Sequence, residues 1–243
     1  MISVCIATHN GEKYIKKQLE SILCQLDSND EVIISDDGSS DGTITEIASL
    51  DDKRIQVYRY NQPHKVKYTH EYVCHNFENA LIHAKGDYIF LSDQDDEWFP
   101  FKIETCLKEL QVCGLVIHNM QIADDNMNSQ NSTVFEGGFH FRNYLMKEGS
   151  YYGCAMAFNR HILNASLPFP RKLIVHDIWL GLLSELISEV HYIEQPLLLY
   201  RIHEDSTSHA AKNSLWHKLD YRIYTLFQLV KRVLMLKLNY KIQ

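Results

Sequence analysis

Tyr88-Ile89-Phe90-Leu91-Ser92-Asp93-Gln94-Asp95-Asp96-Glu97-Trp98 is the stretch on which the reading of this chain turns. An apolar run, Tyr88 to Leu91, leads directly into three aspartates and a glutamate within five positions. Like charges held this close repel, and each raises its neighbours' pKa. A strand that delivers such a set to its C-terminal end makes sense if a divalent cation, a polyol or both sit there. Hard oxygen ligands suit Mg²⁺ or Mn²⁺, and Mg²⁺ is usually held by one or two carboxylates plus substrate phosphates. The competing reading is a solvated acidic loop that caps the next helix.

Upstream, residues 2–8 form a short apolar, β-branched run that reads as a buried strand, broken at Asn10-Gly11. Tyr14, Ile15, Gln18, Leu19, Ile22 and Leu23 recur at helical spacing. Residues 31–35 read as a second strand, ending in the turn chemistry of Asp36-Asp37-Gly38-Ser39-Ser40-Asp41-Gly42, with Asp41 as N-cap of a helix from about Thr43. A strand over 55–60, a helix over 69–84 and a strand over 87–92 complete a β-α-β-α-β-α-β alternation. That pattern indicates a parallel sheet with helices on its faces. Ligands of such sheets bind beyond the C-terminal strand ends. Thr8-His9-Asn10, Asp36-Asp37-Gly38-Ser39 and the acidic run all follow strands at that edge, so they point to one site.

The second half is less regular. Strands are expected over 114–122, 151–158 and 191–200, polar loops over 124–138 and 201–213, and a helix over 175–188 with Ile178, Leu182 and Leu186 on one stripe. From Ser214 onward, Leu215, Leu219, Ile223, Leu226, Val230, Val233 and Leu234 keep helical spacing among Lys and Arg.

The 243 residues are 45% apolar and carry a net charge of −7, which fits a large α/β domain and argues against a nucleic-acid binder held by bulk charge. No apolar run of about 18 residues occurs, so no transmembrane helix is expected. The N-terminus lacks a basic n-region and reads as a strand, not a signal peptide. The six cysteines show no CxxC spacing, as expected of buried free thiols in a reducing cytoplasm. From Lys212 onward seven Lys or Arg stand against Asp220, a balance of +6 that leaves −13 on residues 1–211.

Asp36-Asp37-Gly38-Ser39 followed by Asp93-Gln94-Asp95-Asp96 is a strong paired signal. With Val4-Cys5-Ile6-Ala7-Thr8-His9-Asn10-Gly11, it resembles the family 2 inverting glycosyltransferases, which have the GT-A nucleotide-sugar fold. Gly153-Cys154-Ala155-Met156-Ala157-Phe158-Asn159, His176-Asp177-Ile178-Trp179-Leu180 and Tyr200-Arg201-Ile202-His203 are similar to its bacterial rhamnosyltransferase-like members. The resemblance covers about residues 2–207 and leaves the basic tail unexplained. It implies an α/β, GT-A fold with a mostly parallel central sheet flanked by helices. One domain would span 1–213, with a nucleotide-sugar-binding half (1–98) and an acceptor-binding half (99–213), followed by a basic amphipathic helix over 214–243.

The resemblance also implies roles. Asp37 would accept the N3–H of a uracil or thymine ring, with Thr8 lining that pocket and Asn10 on the donor side. Asp36 would shape the loop or contact the ribose. Asp93 and Asp95 are the acids of the family's DXD element. Asp95 would hold the ribose or the metal and Asp96 the metal, and spacing leaves open which of the three coordinates directly. His203 would add a third metal ligand and Arg201 would meet the diphosphate. Asp177 is the candidate general base, and its competing reading is electrostatic support of a helix N-terminus. Trp98 and Trp179 would stack on the acceptor sugar or simply pack in the core, and Gly153 would leave room for the acceptor.

The function so implied is transfer, with inversion, of a sugar from a UDP- or dTDP-sugar (dTDP-L-rhamnose among them) to a glycan or lipid-linked acceptor of a bacterial surface polysaccharide. A divalent cation, Mg²⁺ or Mn²⁺, would assist. The 214–243 helix would either touch the inner face of the cell membrane or pack on the domain with a solvated basic face. A sugar nucleotidyltransferase would need a Gly-rich basic loop after the first strand, whereas Thr8-His9-Asn10-Gly11-Glu12 has one glycine and no arginine. A nucleotide-sugar-binding protein without activity would have lost a key acid, yet Asp37, Asp95, Asp96 and Asp177 all stand. A nucleotide-sugar hydrolase would share the carboxylates.

Overall fold

The computed structural model describes residues 1–60, 69–134, 151–173, 175–202 and 215–239. Strand β1 (Ile2–Thr8) lies between β2 (Glu31–Asp36) and β4 (Tyr88–Ser92), parallel to both, with β3 (Ile55–Arg59) outside β2. β1 and β2 have no exposed position. This is why their sequences are continuous apolar runs and not alternating ones. Helices α1 (Ile15–Leu23), α2 (Thr43–Ala48) and α3 (Thr69–His83) make the crossovers. Asp41 accepts from the Thr43 N–H at 3.0 Å, one residue before the Gly42 cap position.

The second half extends the same sheet. It contains β5 (Glu97–Trp98), α4 (Lys102–Glu109), β6 (Leu115–Ala123), β7 (Ser129–Thr133), a 3-10 turn at Gly153–Ala155, β8 (Met156–Asn159), α5 (Arg160–Ser166), α6 (His176–Ile187), β9 (Val190–Arg201) and α7 (Leu215–Asn239). Among the described residues nine strands form one sheet in the order β3-β2-β1-β4-β8-β6-β9-β5, with β7 on β6. The parallel order expected from the first half ends at β4. There β8 enters antiparallel, with Ile89 opposite Phe158. β6 pairs antiparallel with β8 and parallel with β9, and β9 returns antiparallel to β5. The sheet is therefore mixed: parallel throughout its first half, and parallel in its second half only between β6 and β9. β7 falls inside the stretch read as a polar loop, and α5 and β5 are elements that periodicity did not reveal.

The register aligns the strand ends. Thr8 lies opposite Asp36, and Ile6 opposite Ser92, so the three polar clusters that follow β1, β2 and β4 leave the sheet at one edge.

Helix α7 has two apolar faces. Leu229 is buried, Leu226, Val233 and Leu236 pack on the core, and Arg232 donates to the carbonyls of Ala165 (2.6 Å) and Leu167 (2.9 Å). The opposite face leaves Ile223, Phe227, Val230, Leu234, Met235 and Leu238 exposed. The helix therefore packs on the domain, and its outer face carries apolar side chains among the basic ones. Among the described residues no helix is long and apolar enough to cross a membrane. Cys24 is exposed and the other five cysteines are buried free thiols.

Gly86, at the turn into β4, donates its N–H to Ser3 Oγ at 2.7 Å, and a Cβ there would sit 2.6 Å from the Ser3 backbone nitrogen. Backbone cannot yield as a flexible side chain can. Gly86→Ala is expected to destabilise the fold by about 1–3 kcal/mol, read as a lowered urea midpoint at unchanged slope.

Candidate active site

Side chains bonded to neighbouring loops tie the three strand ends together. Thr8 Oγ1 donates to Asp36 Oδ1 at 3.1 Å, and Ser39 donates to the same carboxylate through its N–H (3.1 Å) and its hydroxyl (2.5 Å). Asn10, held at φ 49°, donates its N–H to Ser39 Oγ (2.9 Å) and accepts from the Ser40 N–H through Oδ1 (2.8 Å). Gln94 grips the backbone of His9 twice, accepting its N–H at 3.0 Å and donating to its carbonyl at 3.1 Å. A Cβ at Gly11 would displace that Gln94 amide, so the glycine leaves room for the grip. Gln94 and Ser39 are positioning residues that the sequence reading did not single out.

The lock decides which expected donor residues face outward. Thr8 and Asp36 are each 1% exposed and face one another, so Asp36 shapes the loop. Asp37, next along, is half-buried at the edge. Its N–H is held by the Thr8 carbonyl at 2.9 Å, and its charge raises the pKa of Tyr60 after burial has done so.

The acidic turn is buttressed from behind. Gln18 Nε2 donates to Ser92 Oγ (2.5 Å) and the Asp93 carbonyl (3.2 Å). Arg201 donates its N–H to Asp96 Oδ1 at 3.1 Å, its Nε to the Asp95 carbonyl at 2.6 Å, and its Nη1 to the Asp125 carbonyl, with its guanidinium over the Tyr14 ring. Arg201 was expected at a diphosphate. In the structure Arg201 is 5% exposed, and its guanidinium engages two loop carbonyls and the Tyr14 ring.

Asp96 is 1% exposed, and its Oδ2 has no hydrogen-bond partner among the described residues. Burial first, then the charges of Asp95 and Asp93, hold its carboxyl well above the usual range. Burial and Asp95 push Asp93 up to about 7, against the opposing pull of the Cys154 thiol and the Lys102 charge. Ligand atoms of Asp93, Asp96 and Cys154 lie within 4.8 Å of one another. An orphaned, buried carboxylate oxygen beside a second carboxyl is a donor set suited to a hard divalent cation. His203 lies outside the described residues.

Asp177 occupies the first turn of α6, half-buried. The Ile178 N–H donates to its Oδ1 at 2.7 Å, and the Gly153 N–H also reaches it. Burial first, with the Asp93 charge adding, raises its carboxyl to about 7 against the lowering effect of these N–H groups. A carboxylate at that value is matched to general-base work near neutral pH. The 3-10 turn at Gly153 passes so close to α6 that a Cβ at this position would lie 2.7 Å from His176 Nε2. Burial raises the Cys154 thiol well above its usual value, which keeps it from acting as a nucleophile.

Of the two readings of the tryptophans, core packing is the one the burial favours. Trp179 is fully buried, its Nε1 donates to the Ser166 carbonyl at 3.1 Å, and Arg232 covers its ring. Trp98 is 3% exposed, tilted against Phe90 and covered by Lys102 at 3.9 Å. Neither offers a face to an acceptor sugar, because both are enclosed by the core. Lys102, fully buried, was not anticipated either. Its only sequence signal is its place in the first turn of a helix just after the acidic run.

The profile of the family described as Glycosyl transferase family 2 matches residues 3–166. An uncharacterized glycosyltransferase of Nostoc is 24% identical over 219 residues, covering 83% of this chain and 65% of the relative. The UDP-Glc:alpha-D-GlcNAc-diphosphoundecaprenol beta-1,3-glucosyltransferase WfgD of Escherichia coli is 26% identical over 194 residues, 76% of this chain and 70% of that one. The dTDP-rhamnosyl transferase RfbG of Shigella flexneri is 26% identical over 229 residues, 83% of this chain and 72% of that one. Among solved structures, S. aureus TarS with UDP-GlcNAc superposes with a TM-score of 0.70 at 17% identity, covering 96% of this chain and 66% of that chain. The glucosyl-3-phosphoglycerate synthase of Mycobacterium tuberculosis with Mn²⁺, UDP and phosphoglyceric acid gives 0.56 at 17% identity, with 94% and 78% covered. The fold is GT-A. The chain spans about two thirds of the length of several of these proteins.

The raised carboxyl of Asp177 has a consequence for stability. Its folded pKa of about 7 exceeds the unfolded value near 3.9, so the folded state binds the extra proton. That contribution is complete below about pH 4 and is lost as pH rises toward and through about 7. Asp177→Asn is expected to gain at least about 2 °C in Tm over wild type between pH 5 and pH 8, read by thermal melts across that range.

Proposed function

Because this chain belongs to glycosyl transferase family 2, we propose that it transfers a sugar, with inversion, from a UDP- or dTDP-sugar to a hydroxyl of a glycan or lipid-linked acceptor in bacterial surface polysaccharide synthesis. The observation that carries this reading is Asp177. A half-buried carboxyl poised at about 7 faces the acidic turn, from a different half of the chain.

In this reading the acceptor hydroxyl attacks the anomeric carbon from the face opposite the leaving group. Its oxygen forms the new C–O bond, the bond to the diphosphate oxygen breaks, and its proton passes to the Asp177 carboxylate. Asp37 accepts the imide N–H of the pyrimidine, a proton that cytosine lacks, on a loop held by Ser39, Asn10 and Gln94. The acids Asp93, Asp95 and Asp96, with His203, would hold the divalent cation. When bound, that cation supplies charge neutralisation of the departing diphosphate. The pyrimidine nucleotides and the diphosphoundecaprenol in the names of WfgD and RfbG support the same choice of donor and acceptor class.

The site of action is the cytoplasmic face of the membrane, reached through α7. Its exposed Ile223, Phe227, Val230, Leu234 and Leu238 form a stripe flanked by Arg222, Lys231 and Lys237, the composition of a helix lying in an anionic interface. The apolar outer face is what favours this over a merely solvated helix.

Three outcomes follow from this reading. UDP- or dTDP-sugars with Mn²⁺ at 100-fold over Kd should raise Tm by about 5–10 °C, and stabilisation by GDP-sugars alone would sink the Asp37 assignment. Asp177→Asn should keep donor binding and lose about 10²–10⁴ in kcat, whereas retained transfer would remove it from the mechanism. Phe227→Glu with Leu234→Glu, both on the exposed face, should abolish sedimentation with vesicles of anionic phospholipid. Unchanged sedimentation would end the membrane assignment.

A further inference from the structure

Lys102 is a fully buried lysine in the first turn of α4, four residues after β5. Burying an ammonium costs several kcal/mol unless its surroundings answer the charge. Here Nζ donates to the Cys154 carbonyl at 2.8 Å and lies over the Trp98 ring, 3.9 Å from its centroid. The lysine therefore spans the molecule, from the strand that ends the acidic run to the 3-10 turn of the acceptor half. That turn carries two other contacts. The Gly153 N–H reaches the Asp177 carboxyl, and the Cys154 thiol reaches that of Asp93. Nothing in the reaction uses Lys102 directly: it has no exposed surface and lies behind the turn.

We propose that Lys102 is a positioning residue for the reaction, holding the Gly153-Cys154 turn by the Cys154 carbonyl so that the Gly153 N–H fixes Asp177 opposite the acidic turn. The turn runs into β8, held between β4 and β6, and follows Tyr151, whose hydroxyl donates to Glu185 at 2.6 Å; the Lys102 bond adds a charged donor at the Cys154 carbonyl within that frame. Gly153 packs directly on the start of α6, where a Cβ would lie 2.7 Å from His176 Nε2, so the turn and the helix that carries Asp177 are in close register. A charge-assisted hydrogen bond in a dry interior is directional and is stronger than a neutral one. The groups facing Asp177 are Asp93 from the acidic turn, Cys74 from α3, Tyr152 before the turn and its neighbour His176. Lys102 acts on Asp177 through the backbone and not as one of them.

This inference rests on Asp177 being the base, and the experiment separates the two. Lys102→Met, which keeps the stem and removes the donor, and Lys102→Arg are compared with Asp177→Asn. Calorimetry measures the Kd of UDP with Mn²⁺, and steady-state transfer is measured from pH 5.5 to 9. Lys102→Met should hold the Kd within about 3-fold, lower kcat about 10- to 100-fold, and move the acid limb of the kcat profile upward as the Gly153 N–H loses its place. Lys102→Arg, which retains a charged donor, should recover part of kcat. Asp177→Asn retaining transfer would remove the base reading itself. With Asp177→Asn inactive, wild-type kcat and an unmoved acid limb in Lys102→Met would overturn the inference alone. A loss of UDP affinity equal to the loss of kcat would also overturn it. If Lys102→Met gives no cooperative melt, Lys102→Gln is read in its place. Failure of both to melt cooperatively would make Lys102 a folding residue and reject the positioning role.

Discussion

The desolvation of carboxylates at the end of a parallel strand is the constraint from which the rest of this molecule follows. Asp93 and Asp96 sit where the sheet stops and water is scarce, and their ionised forms are disfavoured by burial and by one another. A fold that keeps them there must answer the charge with dipoles and cations on every side. The Arg201 N–H on Asp96, the guanidinium on the loop carbonyls, the Gln18 amide under Ser92 and the ammonium of Lys102 are those answers. They come from β9, α1 and α4, so the acidic turn is the point at which distant elements of the chain must agree.

That agreement explains the change of direction in the sheet. A parallel β-α-β series can line up strand ends, but its crossovers leave the next strand far from the acids just laid down. Entering β8 antiparallel beside β4 lets the Gly153–Ala155 turn arrive at the same edge from the other direction. Running β9 back against β5 returns Arg201 to a point beside Asp95 and Asp96 after more than a hundred residues. The mixed half is the means by which one edge is furnished from both ends of the chain.

What the sequence made legible divides along the same line. β1, β2 and β4 are buried on both faces, so their runs are unambiguous, and Gly and Asp mark their ends. Asp177 was put forward by a resemblance in the motif around it, and burial raises its carboxyl; its part as base is the reading proposed above. The burial of Trp98, Trp179 and Arg201 was not legible. A large amphipathic side chain near an acid reads the same whether it faces a ligand or the core, and only the path of β9 and α7 decides. β5 is two residues long, too short for any periodicity. Lys102 was hidden because a lysine in a helix's first turn reads as solvated. The stripe of α7 was read as one face, yet packing divides it: Leu226 and Val233 turn inward, Ile223 and Leu234 outward.

The double grip of Gln94 on the main chain of His9 bears on how such a site changes over generations. A side chain that recognises backbone is indifferent to what the gripped residue carries. Substitution at position 9 leaves the two main-chain bonds in place and removes the ring bond to the Asp37 carbonyl, while substitution at Gln94 unties the acidic turn from the loop after β1. The floor of the site is thereby insulated from its rim. Side chains at the rim can drift toward a different sugar without disturbing the register that the floor maintains, and a lineage can explore new donors one exposed residue at a time.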